Sequence, residues 1–211
     1  MSAVTIAIAG GSASGKSTLA NRLCGALVSC AIACRVIGTD RYFRRDDPDA
    51  PRFLFSSSGE FEFNANDIDS AANERLVADI DVLRTEQGDL DVIIVEGLMT
   101  LAVDSVRGRC DLKLFVDLEP DVRLGRRLLR DLTTKRSFTE PEKIVAYYLE
   151  CARIGHNRFV EPSKMYADII VRGDADFDRT TSLLVPVILF LIAKEPADDP
   201  RKTEKILIDL A

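Results

Sequence analysis

The segment from Ile6 to Thr18, reading I-A-I-A-G-G-S-A-S-G-K-S-T, constrains this chain more than any other stretch. Gly10, Gly15, Lys16 and Ser17 satisfy the spacing G-x-x-x-x-G-K-[ST], and each position has a chemical reason. Glycines let the backbone turn tightly, so that the N–H groups of Gly10, Gly11, Ser12, Ala13, Ser14 and Gly15 form a cradle for phosphate oxygens. The helix that starts near Gly15 and runs through Thr18 adds its positive dipole end. Lys16 brings a compact charge to the outer phosphates of a nucleotide, and the Ser17 hydroxyl suits Mg²⁺. The context agrees. Val4, Ile6 and Ile8 alternate up to Gly10 as a buried strand would, and Leu19, Leu23, Ala26 and Leu27 share one helical face.

A length of 211 residues fits one domain with a full core. The net charge of -6 argues against a general nucleic-acid binder but leaves small anionic ligands open. The longest apolar run, Leu183 to Ala193, is too short to span a bilayer and is interrupted by Pro186, so no membrane partner is expected. Met1 to Ala3 leads straight into the first strand, so no signal peptide is expected. Five cysteines without a C-x-x-C pair read as reduced, mostly buried thiols of a cytoplasmic protein.

Along the chain, Cys34–Ile37 reads as a second strand that delivers Asp40 to its carboxyl end, followed by Tyr42 and Phe43. Two readings fit Asp40: a general base facing the γ-phosphate, or a turn or helix-capping aspartate. Residues 41–66 interrupt the α/β rhythm. Within them Arg52–Phe55 and Glu60–Phe63 read as a β-hairpin with Phe53, Phe55, Phe61 and Phe63 on one side, either a substrate lobe or a flap over the core. A helix is expected from Asn66 to about Glu86. Leu90–Glu96 reads as a doubly buried parallel strand whose terminal Glu96 has the position of an acid that orients Mg²⁺. Asp111–Asp117 is a fourth strand. The helix after Pro120 carries Arg123, Arg126, Arg127 and Arg130, with Lys135 and Arg136 beyond, as a solvated face or as a lid over transferring phosphate. A helix from Pro141 to Arg158 holds His156, the single histidine, which reads as a core or surface residue. A fifth strand at Tyr166–Val171, a helix at Asp176–Lys194 kinked at Pro186, and a polar tail ending in a short apolar segment complete the chain.

The blocks A-G-G-S-A-S-G-K-S-T at 9–18, T-D-R-Y-F at 39–43, V-I-I-V-E-G at 92–97, F-V-D-L-E-P-D-V-R-L-G-R-R-L-L-R-D at 115–131 and E-P-S-K-M-Y-A-D-I-I-V-R-G at 161–173 resemble the uridine kinase and phosphoribulokinase-like P-loop kinases in order and spacing. The resemblance implies a doubly wound α/β domain with a mostly parallel five-stranded sheet. A substrate-side insertion would lie at 41–66, and a lid with flanking helices at 123–158. It implies transfer of the ATP γ-phosphoryl to a small-molecule hydroxyl, with Asp40 as base, Lys16, Arg127 and Arg130 at the transferring group, and Mg²⁺ on Ser17 near Glu96. Tyr42, Phe43, Asn64 and Arg136 would meet the acceptor, with Asn64 hydrogen-bonding a ribose diol. A homo-oligomer remains open.

Two features depart from the family. Its P-x-Y-D-[FY] signature and following histidine, which recognise a pyrimidine base, are missing from the short span between Glu86 and Val92. Its diol-binding aspartate is replaced in Phe63-Asn64-Ala65-Asn66-Asp67. The expected acceptor is the 5′-hydroxyl of uridine or cytidine. The alternatives are a sugar phosphate, pantothenate, nicotinamide riboside, or no acceptor at all in a nucleotide-binding regulatory module. A GTPase is disfavoured, because no N-K-x-D motif is present and the third parallel strand ends in E-G rather than D-x-x-G.

Overall fold

The computed structural model describes residues 2–85, 90–134 and 138–194. Arg136, the start of the short span after Glu86, and the expected apolar segment of the tail lie outside them.

The sheet is built on β1 (Val4–Gly10), whose seven residues are all buried. It lies at the centre of five parallel strands in the order β2 (Cys34–Gly38), β5 (Val92–Glu96), β1, β6 (Leu112–Asp117), β7 (Ile169–Arg172). A central strand needs apolar residues on both faces, and β1 supplies them unequally. Ile6 and Ile8 face α1 (Lys16–Ser29) and α8 (Phe177–Lys194), packing with Leu19, Leu23, Leu184 and Ile188. Ala7 and Ala9 face the other layer, where Leu76 and Ile80 of α2 (Asn73–Thr85) and Val106 of α3 (Asp104–Arg107) close the second core. Helices therefore cover both faces, as expected of a doubly wound fold. Because all five strands run the same way, the carboxyl ends of β1, β2 and β5 open on one edge.

Several boundaries differ from the expectation. The helix expected from Asn66 starts at Asn73. The Asp67 carboxylate accepts from the Asp69 N–H at 3.1 Å and holds Ile68–Ser70 as a separate 3₁₀ turn. Such local side-chain bonds compete with helix formation, and this stretch is rich in them. The chain after Pro141 stays helical past Arg158: α5 (Pro141–Tyr147), a π turn (Tyr148–Ala152), α6 (Arg153–Gly155), a second π turn (His156–Val160) and α7 (Glu161–Ser163). β7 accordingly starts at Ile169, not Tyr166. Helix α8 runs through Pro186.

The hairpin β3 (Arg52–Leu54) and β4 (Phe61–Phe63) forms, but its phenylalanines do not share a side. Phe53 pairs with Glu62 and Arg52 with Phe63, so the register places odd positions of one strand opposite even positions of the other. Phe53 and Phe55 turn toward Tyr147 and Phe138, with ring centroids 5.3 and 5.9 Å apart. Phe63 meets Phe43 at 5.5 Å, and Phe61 is exposed. The cysteines are free thiols, of which only Cys110 and Cys151 are buried. No described helix is long and apolar enough to cross a membrane.

Gly155 sits where the broken helix crosses the 64–67 segment, and a Cβ there would lie 2.0 Å from the Asn66 carbonyl oxygen. Gly155→Ala is expected to lose about 1–3 kcal/mol of stability by overpacking. Urea unfolding checks this, and an unchanged midpoint would refute the close approach.

Candidate active site

The loop after β1 closes through three residues with positive φ: Gly10 (142°), Ala13 (62°) and Gly15 (109°). A Cβ on Gly10 would lie 2.4 Å from the Val116 carbonyl oxygen, and one on Gly15 would enter the Phe177 ring at 2.8 Å. Lys16, the first residue of α1, is buried and donates its Nζ proton to the Gly11 carbonyl at 3.0 Å. Burial lowers its pKa, opposed by the nearby Glu96 and Asp40 carboxylates. The Ser17 hydroxyl donates to Glu96 Oε1 at 3.2 Å, which brings the expected metal pair together. These are hard oxygen donors at the edge of a phosphate cradle, a donor set that fits Mg²⁺ completed by phosphate and water. Among the described residues, no group of three or more His, Cys, Asp or Glu could hold a metal by itself.

The loop opens into a cleft of about 580 Å³, lined by Lys16, Ser17, Asp40, Arg126, Arg130 and Phe177 among others. A second hollow of about 250 Å³ lies beside it, with Phe43, Phe63, Phe138 and Tyr147 as its aromatic walls and Arg45 and Arg127 among its charges. Ser12, Asp40, Leu98 and Arg130 line both. Asp40 belongs to a 3₁₀ turn (Thr39–Tyr42) directly after β2, so the parallel sheet itself carries it to the junction.

The arginines of α4 (Pro120–Thr134) divide by depth, which the solvated-face reading does not describe. Arg123 is buried against Gly11 and donates its Nε proton to the Leu118 carbonyl at 3.0 Å. Arg126 donates to the Gly173 carbonyl at 2.9 Å and lines the cleft. Arg130 donates to Asp131 Oδ1 at 2.8 Å. The Arg127 Nε lies 3.3 Å from Asp131 Oδ2 as an ion pair without hydrogen-bond alignment, and its guanidinium stacks 4.6 Å above Tyr147. Asp131 is completely buried, so one carboxylate orients both arginines.

Two expected acceptor residues stand elsewhere. The Tyr42 hydroxyl donates to Asp79 at 2.7 Å, anchoring the 3₁₀ turn to α2 outside the hollow. Asn64 Oδ1 accepts from the Asn66 N–H and the Cys151 thiol, both at 3.0 Å, and lines a neighbouring depression but not the second hollow. Asn66, two residues on, lies at the second hollow instead. It is buried and donates to the Tyr147 hydroxyl at 2.9 Å and to the Cys151 sulfur at 3.6 Å. The family resemblance points to Asn64 alone, and no periodicity in the sequence points to Asn66. Phe43 lines the hollow, together with Arg45, Phe138 and Tyr147 from segments that carried no motif.

A phosphate loop on a parallel sheet, with the Asp40 carboxylate and the Arg130 guanidinium where two hollows meet, defines a P-loop phosphotransferase. The model of the phosphoribulokinase/uridine kinase family matches residues 60–178. A uridine kinase of Clostridium botulinum is 31% identical over 210 residues, covering 90% of this chain and 98% of that protein. One from Staphylococcus haemolyticus is 30% identical, covering 90% and 97%. Among solved structures, the phosphoribulokinase from Rhodobacter spheroides has a TM-score of 0.59 at 17% identity, covering 81% of this chain and 70% of that one. Shikimate kinase from Acinetobacter baumannii has a TM-score of 0.52 at 13% identity, covering 92% and 96%, a likeness of fold. The chain belongs to the phosphoribulokinase/uridine kinase family and is an ATP-dependent kinase.

His156 is a core residue behind the phosphate loop. Its Nε2 lies 3.2 Å from Glu161 Oε2, which a neutral imidazole serves as donor, and the buried Nδ1 has no partner. Burial first, then the Arg123 and Lys16 charges, pushes its pKa down to about 4, against a smaller opposing pull from Asp117. Between pH 6.5 and about 4 the unfolded chain therefore binds a proton that the folded one refuses, and stability falls as pH falls. The slope approaches about tenfold in the folding constant per pH unit. His156→Leu is expected to flatten this part of the profile in urea titrations at stepped pH. An unchanged slope would refute the assignment.

Proposed function

We propose that the chain phosphorylates the 5′-hydroxyl of uridine or cytidine with ATP. The observation that carries the reading is the shared lining of the two hollows by Ser12, Asp40, Leu98 and Arg130, which puts a nucleotide phosphate and an acceptor hydroxyl within reach of the same side chains. The acceptor identity is supported by curated uridine kinases that match over nine-tenths of this chain. The small volume of the acceptor hollow also suits a small metabolite.

In this reading the nucleotide phosphates lie in the backbone cradle, and Lys16 turns from the Gly11 carbonyl to the outer phosphates. Asp40 accepts the proton of the attacking hydroxyl, as a carboxylate at the γ-phosphate can. Arg127 and Arg130 spread the charge of the transferring group, held by Asp131. Ser17 and Glu96 would hold Mg²⁺, which when bound neutralises charge on the phosphate oxygens. The 41–66 insertion would supply Phe43, Arg45 and Phe63 to the acceptor, facing Arg127, Phe138 and Tyr147 across the hollow.

The test is coupled ATP turnover with Mg²⁺ over uridine, cytidine, pantothenate, nicotinamide riboside and sugar phosphates. Uridine or cytidine should be the preferred acceptor. Asp40→Asn should bind ATP as the wild type does while kcat falls by roughly 10²–10⁴-fold. Preference for a non-nucleoside would overturn the substrate, and an active Asp40→Asn would remove Asp40 from the chemistry.

A further inference from the structure

Resting on the nucleoside reading, we propose that Arg45 recognises the acceptor's base: its guanidinium reads carbonyl oxygens of a planar heterocycle at the far end of the acceptor hollow. It thereby replaces a recognition element that the short span after Glu86 does not encode.

Two adjacent arginines follow Phe43, and the structure uses them differently. Arg44 is spent on the loop. Its Nε and Nη2 both donate to Asp47 Oδ2, at 2.9 and 2.6 Å, and the Asp47 N–H returns to the Arg44 carbonyl at 3.1 Å. That closed turn presents Arg45 at its corner. The Arg45 guanidinium lies 5.2 Å from the Phe43 ring centre and 4.9 Å from that of Phe63. Among the described residues it makes no hydrogen bond or ion pair, so aromatic contact fixes the cation while its N–H donors stay uncommitted.

Position completes the case. Asp40 and Arg130 line the end of the hollow that meets the nucleotide cleft, whereas Arg45 and Glu62 line the acceptor hollow alone. A nucleoside with its 5′-hydroxyl at Asp40 directs its base away from the junction, toward the Phe43–Phe63 pair. Uracil and cytosine both carry a C2 carbonyl, and a planar fork of donors suits such an acceptor better than a point charge does. Glu62, on the same wall, offers the complementary acceptor for a ring N–H or an amino group.

The experiment is steady-state kinetics of Arg45→Met and Arg45→Lys with uridine and cytidine, ATP being varied separately. Methionine keeps apolar packing on the two rings and removes the donors. Arg45→Met should raise the nucleoside KM roughly ten- to a hundredfold. Its kcat should stay within about threefold, since the lost contact is made equally in ground and transition states. The KM for ATP should not move, and Arg45→Lys should fall between wild type and Arg45→Met. Wild-type turnover of uridine with an unchanged KM in Arg45→Met would overturn the inference alone. So would a parallel rise in the ATP KM, which would mean a general effect on the fold. A wild type inactive on both nucleosides would overturn the nucleoside reading and this inference with it.

Discussion

Everything at the open edge of the sheet depends on one close approach. The Gly10 backbone passes so near the Val116 carbonyl that no side chain fits between them, and the Phe177 ring seals Gly15 in the same way. The loop is thus pinned between β6 and α8, and the lysine after it is driven into the protein. A buried ammonium costs free energy in water-poor surroundings, and the Glu96 and Asp40 carboxylates partly offset that cost. The lysine and the two carboxylates are held near one another before any ligand arrives.

The same economy governs the arginines. A guanidinium stacked on Tyr147 and another beside it share the completely buried carboxylate of Asp131. Removing a single partner from such a set strands a buried charge, so the cluster acts as one unit. Tyr147 also accepts from Asn66, whose carbonyl touches the helix at Gly155. The second hollow is therefore shaped by the broken helix as well as by the insertion.

The central part of this arrangement was legible in the sequence because local rules determine it. The glycine spacing fixes the loop, the apolar run at 92–96 fixes a doubly buried strand, and each strand end fixes where Asp40 and Glu96 emerge. What could not be read depends on contacts distant in sequence. The hairpin was visible, but its register, which separates Phe53 from Phe63, is set by pairing and not by alternation alone. Asn64 and Asn66 look alike as letters. Their positions diverge because Cys151 bonds to both while Tyr147 takes up Asn66, each from more than eighty residues away. Tyr42 matched the family block, yet Asp79 on α2 draws its hydroxyl out of the site.

The central claim is that the two hollows meet so that the phosphoryl group passes directly from nucleotide to acceptor in one displacement. The most direct measurement is the stereochemical course of transfer from ATP made chiral at the γ-phosphorus with oxygen isotopes. Inversion at phosphorus is predicted, as a single in-line transfer across the Asp40–Arg130 junction requires. Retention would mean two displacements through a phosphorylated enzyme, and would contradict the account.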